Sequence, residues 1–230
     1  MKPAPRGRFF LARAPRRMAL SEAKPIVPLW SDTPMPNSNQ PALLIIDMQK
    51  GMRDSLVPRN NPQAEARIAE LLAAWRAQGA PIAHVRHISR TPGSPFWPGQ
   101  PGVEFQPDLA PLAHEHVLEK NVPDAFINSG LERWLRVRGI EELVIVGVST
   151  NNSVEGTARS AGNLGFRTLV VADACFAFEQ RDFLGQLHSA EEVHAMALGN
   201  LQGEYADVLE ASAALARLQI GPPWRDRMSP

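Results

Sequence analysis

The sequence predicts a three-layer α/β/α sandwich around a mostly parallel, Rossmann-like sheet of five to six strands. Three observations lead there. Short, continuous apolar runs, ALLIID at 42–47, ELVIVGV at 142–148 and TLVVAD at 168–173, lack the in-out alternation of a half-wet strand and read as strands buried on both faces. Segments with apolar residues at helical spacing, closed by glycine, separate these runs. A chain of 230 residues, 44% of them hydrophobic, is also long enough to bury one large core.

Each element has its own signal. Asn61 and Pro62 read as an N-cap and first-turn pair; Ile68, Leu71, Leu72 and Trp75 fall on one helical face, and Gly79 stops the helix. PIAHVRHI at 81–88 is the second strand. The segment SRTPGSPFWPGQPGVEFQPDLAPL at 89–112 then carries too much Pro and Gly for regular structure, and so long a loop inside a compact domain is usually functional. Ser129 and Glu132 form a capping-box pattern that opens a helix running through Leu131, Trp134 and Leu135 to Gly139. Residues 153–164 read as a helix stopped by Gly165, and Ser189 with Glu192 caps a helix containing His194 and Met196. ADVLEA at 206–211 is a short edge-strand candidate, followed by a last helix near 212–219. Strands alternating with helices imply right-handed crossovers and a parallel sheet. The organisation expected is a disordered or extended N-terminal segment at 1–40, one domain at 41–222 and a short tail at 223–230.

Composition excludes several classes. The 24 Lys and Arg balance 24 Asp and Glu, which does not suit a nucleic-acid binder. The balance conceals a basic leader, with seven bases and one acid in residues 1–24, ahead of a mildly acidic remainder. The leader is acid-poor like a transit peptide, but Pro3, Pro5 and Pro15 break any amphipathic helix, which favours a disordered start. No apolar run approaches the roughly 20 residues that span a membrane. A single cysteine excludes a disulfide scaffold and fits a reducing, cytoplasmic setting. The first strand is followed by IIDMQKGM and not by G-x-G-x-x-G, which argues against a dinucleotide-binding enzyme.

In open parallel sheets the ligand crevice lies beyond the carboxyl ends of the strands. Asp47 ends the first strand, STNNS at 149–153 ends the third, and Lys120 stands in the loop before the second helix, so the three can meet there. Together, IIDMQ at 45–49, EKNVPDAF at 119–126 and GVSTNNSVEGTARSAGNLGF at 147–166 resemble the isochorismatase-like hydrolases, the superfamily of cysteine hydrolases that includes the nicotinamidases. The resemblance covers roughly residues 41–210. It implies that Asp47 is the general acid/base, that Lys120 is the cation, and that Ser153 occupies the position where most members carry the catalytic Cys. It also implies a cis peptide between Val148 and Ser149, with the amides of Ser149 and Ser153 forming an oxyanion hole.

The serine departs from the pattern. A thiol of pKa near 8.5 can be held as thiolate by a lysine and a helix terminus, whereas a hydroxyl is far less acidic and a normal aspartate is a poor base for it. An engineered replacement, a natural departure with its own chemistry, and a protein that binds without turnover all fit a serine here. Isochorismatases proper resemble this chain in lacking the Cys and cleave a vinyl ether with water. The expectation is therefore a hydrolase acting on a small polar molecule, at an amide or imide C–N bond or a vinyl ether. The alternative is a catalytically impaired member that binds small molecules or serves in assembly. No cofactor is expected. No metal is expected either, because the region of the nicotinamidase metal ligands reads VRHISRTPGSPFWPG and because His84 and His87, three apart on a strand, point to opposite faces. Cys175 reads as a small buried apolar residue. Phe126, Trp97, Asn152 and Arg86 are the candidate substrate-binding residues, Arg86 for a carboxylate. The resemblance also implies a homodimer or homotetramer.

Overall fold

The computed structural model describes residues 40–220. The basic leader and the tail from 223 lie outside them. In chain order the elements are β1 (Ala42–Ile46), α1 (Lys50–Arg53), α2 (Ala64–Gln78), β2 (Ile82–His87), β3 (His116–Lys120), α3 (Leu131–Val137) and β4 (Glu142–Val148). There follow α4 (Glu155–Asn163), β5 (Arg167–Phe176), the two-residue strands β6 (Gln180–Arg181) and β7 (Leu187–His188), α5 (Ala190–Leu201), β8 (Asp207–Leu209) and α6 (Ala211–Ile220).

Six strands form one sheet in the order β3-β2-β1-β4-β5-β8, and every pairing in it is parallel. Every residue of β1 and of β4 is buried, as continuous apolar runs require when helices cover both faces. The pleat sorts their side chains. Leu44, Ile46, Ala83, Val85, Leu143 and Ile145 pack with Leu131, Trp134, Ala158 and Leu201 of α3, α4 and α5. Leu43, Ile45, Ile82, Val144 and Val146 pack with Ile68, Leu71, Leu72 and Trp75 of α2 and with Ala214 of α6. The chain leaves β1 toward β2 and β3, then returns past β1 to β4 and β5. That reversal puts the topological switch point between β1 and β4, where a parallel sheet opens its crevice.

Several local readings need correction. Asn61 is not the N-cap of α2: that position is Gln63, while Asn61 sits at φ +44° and its amide donates to the carbonyls of Ala172 (2.9 Å) and Cys175 (2.6 Å). Asn tolerates the left-handed region, and here its side chain replaces a cap by a tie to β5. The Ser129–Glu132 capping box does not form either. The N-cap of α3 is Gly130, and Ser129 instead donates to the Ala125 carbonyl and accepts from the Leu131 amide. The Ser189–Glu192 box closes in both directions. The helix expected from 153 begins at Glu155, after a wide π-type turn over Thr150–Val154.

Lys120 ends a strand and does not lie in a loop. β3 is an edge strand whose inward residues are Leu118 and Lys120, and a carboxylate anchors its entry. Glu115 takes a two-pronged hydrogen bond from Arg76 (2.7 and 2.9 Å), one from His84 Nε2 (2.9 Å) and one from the Leu112 amide (2.8 Å). Against the upward push of burial, these partners hold the Glu115 carboxyl down at about 2. A carboxyl lowered in the folded state stabilises it above the unfolded pKa of about 4.3, and the contribution is lost as pH falls toward 2. Glu115→Gln is therefore expected to lower unfolding free energy at pH 7 by about 2 kcal/mol and to flatten the decline between pH 5 and pH 2. Urea unfolding across that range checks this; parallel pH profiles for the two proteins would refute it.

Candidate active site

Three strand ends deliver the three residues. Asp47 follows β1 directly and is buried at φ +52°, a conformation Asp tolerates better than most residues. Its amide donates to the Val85 carbonyl at 2.9 Å, which fixes it against β2. Ser153 sits in the wide turn after β4, buried like its neighbours Thr150 and Val154, and the turn folds on the Ser149 carbonyl, which accepts from the amides of Asn152 (3.1 Å) and Val154 (3.2 Å). The Val148–Ser149 peptide that opens the turn is cis. Lys120 comes from β3, two strand spacings of about 4.8 Å from β1, a gap that its long stem and the Asp47 side chain bridge together. Its ammonium donates to Asp47 Oδ2 at 2.6 Å and to Ser153 Oγ at 3.2 Å.

Gly147 makes room for this convergence. It lies on β4 at φ +121°, and a Cβ there would stand 2.1 Å from the Ile46 carbonyl oxygen. Only a residue without a side chain lets β4 pass so close to the end of β1.

The electrostatics are those of a dry ion pair. Burial raises the Asp47 pKa, opposed by the charge and hydrogen bond of the Lys120 ammonium and by the nearby Ser153 hydroxyl. The Oδ1 atom of Asp47 is buried and has no hydrogen-bond partner. A carboxylate that keeps one oxygen free and holds a proton more readily than usual can accept one from a nearby hydroxyl or water.

The sequence model of the isochorismatase domain matches residues 41–213. The chain belongs to the isochorismatase family. It is 36% identical over 169 residues to the uncharacterised isochorismatase family protein YrdC of Bacillus subtilis, an alignment covering 73% of this chain and 90% of that one. To the maleamate amidohydrolase of Pseudomonas putida it is 29% identical, over 78% of this chain and 87% of that enzyme. Among solved structures, a Chromobacterium violaceum protein described at the level of an isochorismatase-family hydrolase superposes with a TM-score of 0.77 at 50% identity, over 79% of this chain and 95% of that one.

The other residues singled out in this isochorismatase-family chain lie at various removes from the Asp47–Lys120–Ser153 cluster. Trp97 lines, with Lys120, a cavity of about 530 Å³. Phe126 stacks on Phe166, ring centres 5.8 Å apart, at the margin of the core on the α3–α5 face. Asn152 is exposed on the wide turn, and Asn151 donates to Gln180 at 2.7 Å. Arg86 is not brought to the cluster. It alternates with His87 on β2, so it points to the sheet face opposite Lys120, where it is engaged by Glu119 and lies over Phe105. Cys175 is fully buried in β5, and burial pushes its thiol up to about 12. Among the described residues no three His, Cys, Asp or Glu side chains stand close enough together to hold a metal ion. Nor is any described helix long and apolar enough to cross a membrane.

Two neighbours of the site were not anticipated. Gln49 is completely buried: its amide donates to the carbonyls of His87 (3.0 Å) and Val103 (2.9 Å) while its oxygen accepts from the His87 amide (2.8 Å). It thereby fastens the long Pro-Gly loop over the ends of β1 and β2, helped by the Lys50 amide on the Glu104 carbonyl and the Gln106 amide on the Met48 carbonyl. His87 is half-buried, edge-on to Phe96 at 6.1 Å, and its pKa is lowered by burial and by Lys120. The signals were present: a glutamine two residues after Asp47, and a histidine at the end of β2 in register with Lys120.

Proposed function

We propose that this isochorismatase-family protein hydrolyses the C–N bond of a small amide, with Ser153 as the attacking group, Asp47 as the proton carrier and Lys120 as the fixed cation. The observation that carries the reading is the single ammonium that donates both to Asp47 and to Ser153 Oγ, while Oδ1 of Asp47 stays unengaged. An aspartate of ordinary acidity is a poor base for a hydroxyl; burial moves Asp47 in the needed direction, and Lys120 stabilises negative charge growing on Oγ. The relation to a maleamate amidohydrolase supports an amide as the bond broken.

In the first half-reaction Oγ of Ser153 bonds to the amide carbon as its proton passes to Asp47. The C–N bond then breaks, and Asp47 returns that proton to the departing nitrogen. In the second half a water attacks the acyl-serine and gives its proton to Asp47; the ester bond breaks, and the proton goes back to Oγ. The backbone amides of Ser149 and Ser153 serve as donors to the carbonyl oxygen when it becomes an oxyanion.

The test compares the protein with Ser153→Ala and Ser153→Cys on a panel of small amides, following ammonia release. The parent should turn over an amide, Ser153→Ala should lose about 10³-fold or more in kcat, and Ser153→Cys should retain activity because a thiol ionises far more readily. If Ser153→Ala is as active as the parent while turnover still needs Asp47, the attacking group is water and the serine role is wrong. Silence of both the Ser and Cys forms on every amide would overturn the reading.

A further inference from the structure

The wide turn Thr150–Val154 is a π-type segment, a rare backbone form that surrounding structure has to hold. Besides the bond from Lys120 to Ser153, two of its side chains are tied to other elements. Asn151 meets Gln180 at the surface, whereas Thr150 is completely buried and its Oγ1 lies 2.8 Å from Nδ1 of His194 on α5. Asn61 fixes which way this second bond runs. Its amide nitrogen gives both hydrogens to the carbonyls of Ala172 and Cys175, and the same nitrogen faces Nε2 of His194 at 3.5 Å. A hydrogen on Nε2 would point at a nitrogen with no lone pair to offer, so Nε2 is the bare nitrogen and Nδ1–H donates to Thr150. Burial also lowers the His194 pKa, with Glu191, one turn earlier on α5, acting the other way; the wide turn and the loop before α2 present it with the uncharged Thr150 and Asn61. The imidazole is thus a neutral donor, held on a capped helix and aimed at the turn that carries Ser153.

We propose that His194 is a positioning residue of the active site: by donating from Nδ1 to Thr150 it holds the wide turn in the shape that sets Ser153 Oγ against Lys120 and aims the amides of Ser149 and Ser153. Its effect on rate rests on the amide-hydrolase reading above; its effect on the shape of the turn does not. Thr150 follows Ser149, whose carbonyl closes the turn by accepting from the amides of Asn152 and Val154, so a shift at Thr150 is passed to both ends of the segment. Displacing the groups that hold a reacting geometry by about 1 Å can cost about 10²-fold in rate.

The experiment compares the parent with His194→Ala, His194→Asn, Thr150→Val and the double variant His194→Ala/Thr150→Val, by amide hydrogen exchange and by steady-state kinetics on small amides. Asn places an N–H donor near the position of Nδ1, and alanine is the better helix former, so a weakened α5 cannot explain a loss in His194→Ala. Thr150→Val removes the same bond from the other end, should the helix variant fail to fold. In His194→Ala the amides of Asn152 and Val154 are expected to exchange about tenfold faster or more while those of β1 and β4 keep their protection, and His194→Asn should restore most of it. The kcat should fall about 10- to 100-fold with KM within about threefold of the parent, and the double variant should be no slower than the worse single one, since both changes remove one bond. Unchanged exchange at Asn152 and Val154 overturns the inference, as does a uniform rise across the sheet or a His194→Asn no better than alanine. Looser turn amides with kcat held within about threefold would show that the bond does not serve the reaction, which also overturns it. If the parent turns over no amide, the earlier reading is the one that fails, and exchange at Asn152 and Val154 alone decides this one.

Discussion

Asp47→Asn is expected to lower kcat on any amide substrate by about 10²- to 10⁴-fold, the range associated with loss of a positioned proton carrier. The amide is nearly isosteric, so the side chain still fills its buried place after β1 and can still accept a hydrogen bond from Lys120. What it cannot do is hold the proton of Ser153 or of water. The loss should therefore fall on kcat far more than on KM, and a substrate anchored at a distance from the reacting bond should bind as before. A variant with kcat within threefold of the parent would remove Asp47 from the chemistry.

The second large effect concerns stability. Lys120→Met leaves the Asp47 carboxylate buried without its cation, the situation in which breaking a buried pair costs about 3–5 kcal/mol. The stranded carboxyl can escape by taking a proton. Its folded pKa, already raised by burial, rises further once the ammonium is gone, so the folded state binds protons more readily than the unfolded chain. The sign of linkage is then opposite to that of Glu115: the destabilisation is present above the unfolded pKa and is relieved as pH falls. Lys120→Met should come nearer to the parent at pH 5 than at pH 8. The double variant Asp47→Asn/Lys120→Met removes both charges and should recover most of the lost stability while remaining inactive. Denaturant titrations of the four proteins at the two pH values test this; additive losses in the double variant would show that the pair does not act as a unit.

What could be read from the sequence follows from how each element meets solvent. β1, β4 and the first part of β5 are covered on both faces, and such strands announce themselves as unbroken apolar runs. β3 carries the same structural weight for the site but is an edge strand reading HVLEK, with only Leu118 and Lys120 turned inward, so nothing in its composition marks it. The sequence pattern consequently reads as loop at this position, although it still puts Lys120 at the crevice. Local hydrogen-bonding residues misled in a different way. Asn61 and Ser129 have the chemistry of caps, but each found a better partner in backbone brought near only by the fold, at Ala172 and Cys175 for one and at Ala125 for the other. For Arg86 the difficulty was parity. One residue along a strand changes the face, and the residue in register with Lys120 is His87.

Within the site, the motif residues were legible because they stand where strands end, and strand ends can be found from apolar runs. The clamp made by Gln49 was not legible, because its partners at His87 and Val103 are 38 and 54 residues away.

The burial of Cys175 has a practical side. It is the chain's single cysteine, it is wholly enclosed in β5, and its thiol sits at about 12, so at neutral pH it offers almost no thiolate to an alkylating reagent. The native scaffold is therefore chemically silent toward iodoacetamide or maleimide. A thiol installed at position 153 would be labelled against an empty background, and its rate of modification as a function of pH would report directly how strongly the Lys120–Asp47 pair tunes the atom beside the ammonium.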